Sequence, residues 1–296
     1  MIPGTTYSHR QAKWLGLDPL TSLEQLCTWP LQKIRLAAYW DEIEISPGKY
    51  NFSLLKQQLE MCQRAGKQVV LSVGVKAPRW PEFYFPAHVQ PDFNSAETTT
   101  SLLTFLSATI QALQTFSCIT HWQIENEPLD PSGPTNQIIP GEFLEQEVEL
   151  VRQHSNLPLI INLWGNDLSA RGNLTQANEI ADVVGLDLYP KQFLKQVLGK
   201  NLYRGPFDSP SKLQKIIAKN QKPIWIMELQ AEPWEKDDQG YRSAQPGSFN
   251  LAQLQKNWEL AQNLNVEATF FWGAEYWLWQ QSQGNSQYVD WLHSLN

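Results

Sequence analysis

CITHWQIENEPLDPSG, residues 118–133, runs from an apolar strand pattern straight into an Asn, a Glu and a Pro. The run ITHWQIE (119–125) predicts a buried strand. Pro128 lacks a backbone N–H and cannot extend a ladder, and Asp130, Pro131, Ser132 and Gly133 mark the loop that follows. Glu127 is therefore expected at the C-terminal mouth of a strand, which is where a parallel α/β fold carries its chemistry.

Working outward from this stretch, strand and helix patterns alternate, with no composition shift that would mark a linker. A strand is expected near Thr5–His9 and a helix near Thr21–Cys27, followed by the apolar run KIRLAAYW (33–40). SLLKQQLEMCQRAG (53–66) places Leu55, Leu59 and Cys62 at helical spacing, with Ser53 as a cap and Gly66 as a stop. QVVLSVGV (68–75) is the next strand and 95–116 the next helix, leading back to the opening motif. After it come helix 141–154, strand 158–164, helix 174–181, strand 182–190, helix 211–220, strand 223–230, helix 251–264, strand 266–273 and a helix near 286–295. About eight strand–helix units result, the number of the closed parallel (β/α)8, or TIM, barrel, and a chain of 296 residues suits one such domain over 1–296.

Composition narrows the chemistry. A formal charge of −7 with no Lys/Arg block argues against a nucleic-acid or anionic-membrane surface. No stretch is long and apolar enough to span a bilayer, and MIPGTTYSHR has no apolar signal-peptide core. Localisation stays open between cytoplasmic and secreted after loss of a leader. Cys27, Cys62 and Cys118 lie far apart without CxxC spacing and read as reduced residues. The aromatic content is high, 13 Trp, 9 Tyr and 12 Phe; about half suits core packing, and the residues beside Pro or Gly suit a stacking surface.

An open doubly wound sheet is the rival fold, but no GxGxxG or GxxxxGK[ST] loop follows any strand, so phosphate cradles are missing. There is no GxSxG elbow, and the five histidines form no ligand pair, so neither a metal nor a cofactor is expected. What remains is carboxylates at strand ends: Glu127, and Glu228 in KPIWIMELQAEPW. A Glu inside a run such as IWIME would carry a desolvation cost, which makes it informative. Cleaving a glycosidic bond needs one carboxylic acid to protonate the leaving oxygen and a second carboxylate across the anomeric carbon.

The WxxxNEP stretch (122–128) and the strand-ending Glu of IWIMEL, about a hundred residues later, resemble the fourth- and seventh-strand signatures of the clan A retaining glycoside hydrolases, such as family 5 cellulases and mannanases and family 42 β-galactosidases. The resemblance implies Glu127 as acid/base, Glu228 as nucleophile, and Asn126 as hydrogen-bond partner of the 2-hydroxyl of the sugar at the scissile bond. It also implies that Arg35 keeps the nucleophile ionised and aimed, that Tyr189 donates to it, and that Trp272 floors the sugar subsite. Trp80 and Trp164 could extend the cleft. The two carboxyl groups are then expected about 5–5.5 Å apart, as retaining enzymes require.

By strand alternation, Glu125 should face away from Asn126. Glu42 and Glu44 read as solvated or loop contacts, while Glu232, Glu275, Lys76, His9 and Arg10 are further mouth candidates. The expected activity is retaining hydrolysis of β-linked neutral sugars. The alternatives are a non-catalytic carbohydrate-binding barrel, which would not need both glutamates, and a transglycosylase using the same residues. Sugar, linkage, endo or exo action and oligomeric state are not legible.

Overall fold

The computed structural model describes every residue except 169–172, 207 and 296. Eight strands hydrogen-bond in the cyclic order β1-β12-β11-β8-β7-β6-β5-β2, a closed parallel barrel with helices between its strands. In chain order these strands are β1 (Ile2–Thr6), β2 (Lys33–Ala37), β5 (Gln68–Val73), β6 (Ile119–Ile124), β7 (Leu159–Trp164), β8 (Val183–Leu188), β11 (Ile224–Gln230) and β12 (Ala268–Trp272). Two antiparallel hairpins lie outside the barrel: β3 (Glu44–Ser46) with β4 (Lys49–Tyr50), and β9 (Gln192–Val197) with β10 (Lys200–Arg204). The (β/α)8 architecture expected from the alternation is thus the one present.

The chain divides into two compact units. One comprises Lys33–Leu163 and Asn173–Val184. Its strands are buried almost end to end, as the near-continuous apolar runs require when both faces of a parallel sheet are covered. The registers Arg35↔Val70, Val70↔His121 and Trp122↔Leu159 align them. Helix Ser53–Arg64 buries Leu55, Leu59 and Cys62, the stripe read from the sequence. Gly66 follows at φ 67°, a conformation open to glycine at little cost. Helix Ala96–Leu113 starts at Ser95, whose side chain accepts the Thr98 N–H, and Trp40 stacks on its Phe105 at 5.5 Å.

The other unit comprises Met1–Gln32, Trp164–Gly172 and Gly185–Asn296. Here β1 pairs with β12 and β12 with β11, through Gly4↔Phe270 and Ile226↔Thr269. The first strand is earlier than expected. It ends at Thr6, because the Ser8 hydroxyl accepts the Gln11 N–H and caps a helix over His9–Trp14. His9 therefore begins a helix rather than ending a strand. A second helix the sequence reading passed over, Ala274–Ser282, carries Trp277 into a cluster with Phe271, Tyr288 and Trp291, so much of the aromatic content is core.

Candidate active site

The first unit gathers Arg35, Asn126 and Glu127 around the end of β6. Strand pairing stops at Ile124, so Glu127 lies three residues beyond the strand rather than at its last position. The intervening backbone is contorted. Glu125 and Glu127 both have positive φ, 58° and 45°, a region that costs a non-glycine residue of order 1 kcal/mol or more and persists only where its surroundings enforce it.

Those surroundings are polar and buried. Asn162, fully buried on β7, accepts the Glu127 N–H (2.9 Å) and the Gln123 Nε2 (3.0 Å) at its Oδ1 and donates Nδ2 to Asn126 Oδ1 (3.0 Å). Arg35, fully buried on β2, donates Nη2 to the same Asn126 Oδ1 at 2.5 Å. A guanidinium can only donate, so the amide orientation of Asn126 is determined: Oδ1 faces inward. Among the described residues nothing accepts from its Nδ2, which leaves a donor for a ligand hydroxyl. Lys76, also fully buried, donates Nζ to the carbonyl oxygens of Glu127 (2.6 Å) and Asp130 (2.8 Å) and lies 3.7 Å from Glu82. It holds the backbone of the loop instead of lining the mouth with a free ammonium.

The second unit gathers Glu228, Tyr189, Trp164 and Trp272. Glu228 sits within β11, third from its end, and is 2 % exposed. The Tyr189 hydroxyl donates to Glu228 Oε2. Tyr189 follows β8 directly and is fixed by a reciprocal pair, its N–H to Asn166 Oδ1 and Asn166 Nδ2 to its carbonyl, both 3.0 Å. Trp164 stacks on the Tyr189 ring at 5.4 Å, while Trp234 (4.7 Å) and Trp272 (6.4 Å) meet it edge-on. The result is an aromatic wall beside a buried carboxylate. Gly273 follows Trp272 and packs against the chain after β11: a Cβ there would stand 2.4 Å from the Ala231 carbonyl oxygen.

Other sequence candidates take different roles. Trp80, in the loop after β5, is 70 % exposed, so it is not packing. The Tyr84 hydroxyl donates to the Arg79 carbonyl (2.9 Å) and pins that loop. Glu44 is buried rather than solvated, accepting the Trp40 indole N–H (2.5 Å) and the Gly48 N–H (2.8 Å). Glu275 is fully buried and accepts the Ser8 N–H at 2.5 Å, a structural tie. Glu232 accepts the Tyr241 hydroxyl at 2.9 Å. Sequence reading missed Asn162, Asn166 and Trp234. The lone Asn inside LIINLW was the available signal for Asn162, since a buried amide in an apolar strand must have partners.

These observations define an eight-stranded parallel barrel with two buried glutamates at or just past its strands: Glu228, whose carboxylate accepts the Tyr189 hydroxyl, and Glu127, whose backbone is held by Asn162 and Lys76. The same fold is found in a β-galactosidase from the psychrophilic Marinomonas ef1 (TM-score 0.61, 13 % identity, 92 % of this chain and 54 % of that one). It is found also in a β-glucosidase from Exiguobacterium marinum (0.57, 12 %, 85 % and 76 %) and in an exo-β-1,4-mannosidase from Opitutaceae bacterium strain TAV5 (0.62, 12 %, 92 % and 51 %). The chain spans about half the length of the galactosidase and the mannosidase. At these identities the likeness is one of fold. No protein-family model matches the sequence, and no curated protein matches it.

Proposed function

We propose that the chain is a retaining glycoside hydrolase acting on β-linked neutral sugars, with residues 1–296 forming one catalytic barrel. The observation that carries this reading is the buried Glu228 with the Tyr189 phenol on one of its oxygens. A phenol donor fixes the orientation of a carboxylate, and a stacked wall of Trp164 and Tyr189 suits the C–H face of a sugar. The glycosidases that share the fold support the same reading.

In the first step Glu228 attacks the anomeric carbon while Glu127 gives its proton to the leaving oxygen. In the second, Glu127 takes a proton from water, which attacks the glycosyl ester, frees Glu228 and restores the original configuration. The Asn126 Nδ2 donates to the 2-hydroxyl, Trp272 floors the sugar, and Arg35 supports Glu228 as well as Asn126. Trp80 and Trp164 extend the cleft. Neither a metal nor a cofactor enters these steps. A carbohydrate-binding barrel is the second reading; it accounts for the aromatic wall but gives the Tyr189–Glu228 pair no task. A transglycosylase would use the same residues with a sugar hydroxyl in place of water.

The test is covalent trapping. A panel of 2-deoxy-2-fluoro β-glycosides with good leaving groups should inactivate the protein and label Glu228, identified by peptide mass spectrometry. Labelling of Glu127 would reverse the assignment, and sugar binding without any labelling or turnover would favour the binding barrel.

A further inference from the structure

Behind the Glu125–Glu127 turn lies a pair of carboxyl groups that the reaction does not use. Glu125 and Glu147 are both fully inaccessible to solvent, Glu147 on the inner face of helix Gly141–His154. The Glu125 carboxylate is docked on backbone: Oε1 accepts the Val75 N–H at 2.9 Å and Oε2 accepts the Lys76 N–H. It fits because residue 74 is glycine. A Cβ there would stand 2.3 Å from the Glu125 carboxyl carbon.

Glu147 is different. Its side chain meets that of Glu125, yet among the described residues no N–H or O–H reaches either of its oxygens. Two ionised carboxylates in this position would both be acceptors with nothing between them, in a dry interior where neither charge is solvated. One proton resolves the conflict, and only Glu147 has room for it, because both Glu125 oxygens already accept backbone donors. Burial first, and then the Glu125 charge, push Glu147 well above the usual carboxylate range. Burial also raises Glu125, to about 7, against the Glu147 hydrogen bond, the Val75 and Lys76 N–H groups and the Lys76 charge, which all lower it.

We propose that Glu147 is a protonated positioning residue: its carboxylic O–H donates to Glu125 and so locks the turn that presents Asn126 and Glu127. The chain of contacts is continuous. The helix holds Glu125 through Glu147, Glu125 holds the backbone after β5, and the neighbouring Lys76 ammonium holds the Glu127 carbonyl. Glu125 holds a positive φ of 58°, and the pair is what secures that turn. The catalytic consequence rests on the glycosidase reading. The protonation state does not.

The experiment compares three variants. In Glu147→Gln the amide N–H replaces the acid O–H, so kcat should stay within about 3-fold of the unsubstituted protein. In Glu147→Ala the donor is gone, and kcat should fall about 10- to 100-fold with KM changed less than about 3-fold, as a slight misplacement of a catalytic group does. Glu125→Gln sets an N–H against a backbone N–H and should resemble Glu147→Ala. Infrared difference spectroscopy should show a protonated-carboxyl stretch at neutral pH that Glu147→Gln lacks. The proposal is overturned if that band is absent, or if Glu147→Gln loses as much turnover as Glu147→Ala. If no glycoside is turned over by any form, the glycosidase reading fails while the infrared band still decides the proton.

Discussion

Asn162→Leu is the sharpest probe of how the β7 amide builds the turn at Glu127. The side chain is fully buried, and its hydrogen bonds at 2.9–3.0 Å include those to the Glu127 N–H, Gln123 Nε2 and Asn126 Oδ1. After substitution Asn126 Oδ1 keeps Arg35, and Gln123 Nε2 keeps the Glu125 carbonyl at 2.7 Å. The Glu127 N–H loses the partner that holds it and is stranded against an apolar group. Stranding a buried donor costs about 1–3 kcal/mol, and losing the two further bonds adds a part of about 1 kcal/mol each, offset by the easier burial of Leu. The sum is about 2–3 kcal/mol. With a urea m-value of about 3 kcal/mol/M, the unfolding midpoint should fall by roughly 1 M. Turnover should fall further than stability suggests, by about 100-fold, because a displacement near 1 Å at a catalytic group costs that much. A midpoint within the scatter of the unsubstituted protein, together with unchanged turnover, would refute the claim that Asn162 sets the geometry of Asn126 and Glu127.

Three further outcomes are expected. Glu127→Ala should still form the glycosyl ester from an aryl glycoside whose leaving group needs no proton, giving a burst of phenol and then turnover slowed about 10²- to 10⁴-fold; equal damage for good and poor leaving groups would remove Glu127 from the acid role. Glu228→Ala should lose burst and turnover alike, with azide restoring a product of inverted configuration, whereas azide rescue with retained configuration would contradict its role as nucleophile. The Cys118 thiol, pushed up to about 11 by burial, should resist alkylation at neutral pH while the less buried Cys27 reacts faster. An unfolded thiol titrates lower, near 9, so this site should favour the folded state below that value and lose its contribution as pH rises toward 11; rapid native alkylation of Cys118 would refute the burial argument.

Alternation of apolar runs with 3.6-period stripes specified a parallel α/β fold, because strands covered on both faces must be apolar throughout and their helices one-sided, and the count of about eight units without a phosphate-binding glycine loop pointed to the barrel over a doubly wound sheet. IENEP and IWIMEL were legible for the same reason: a carboxylate or a proline interrupting such a run has to be explained. The helix over His9–Trp14 was not legible, since six residues give too short a period, and only the Ser8 cap in three dimensions marks it. The hairpin after β8 was hidden likewise, its Leu198-Gly199 tip lying among exposed apolar residues that mimic a core pattern. Nor could the sequence say that Asn162 orients Asn126, that Lys76 spends its charge on carbonyl oxygens, or that Glu147, on the helix after the NEP motif, meets Glu125. Periodicity is a property of neighbours along the chain and survives in the sequence. Which buried donor finds which acceptor is a property of distant segments brought together, and only the tertiary structure decides it.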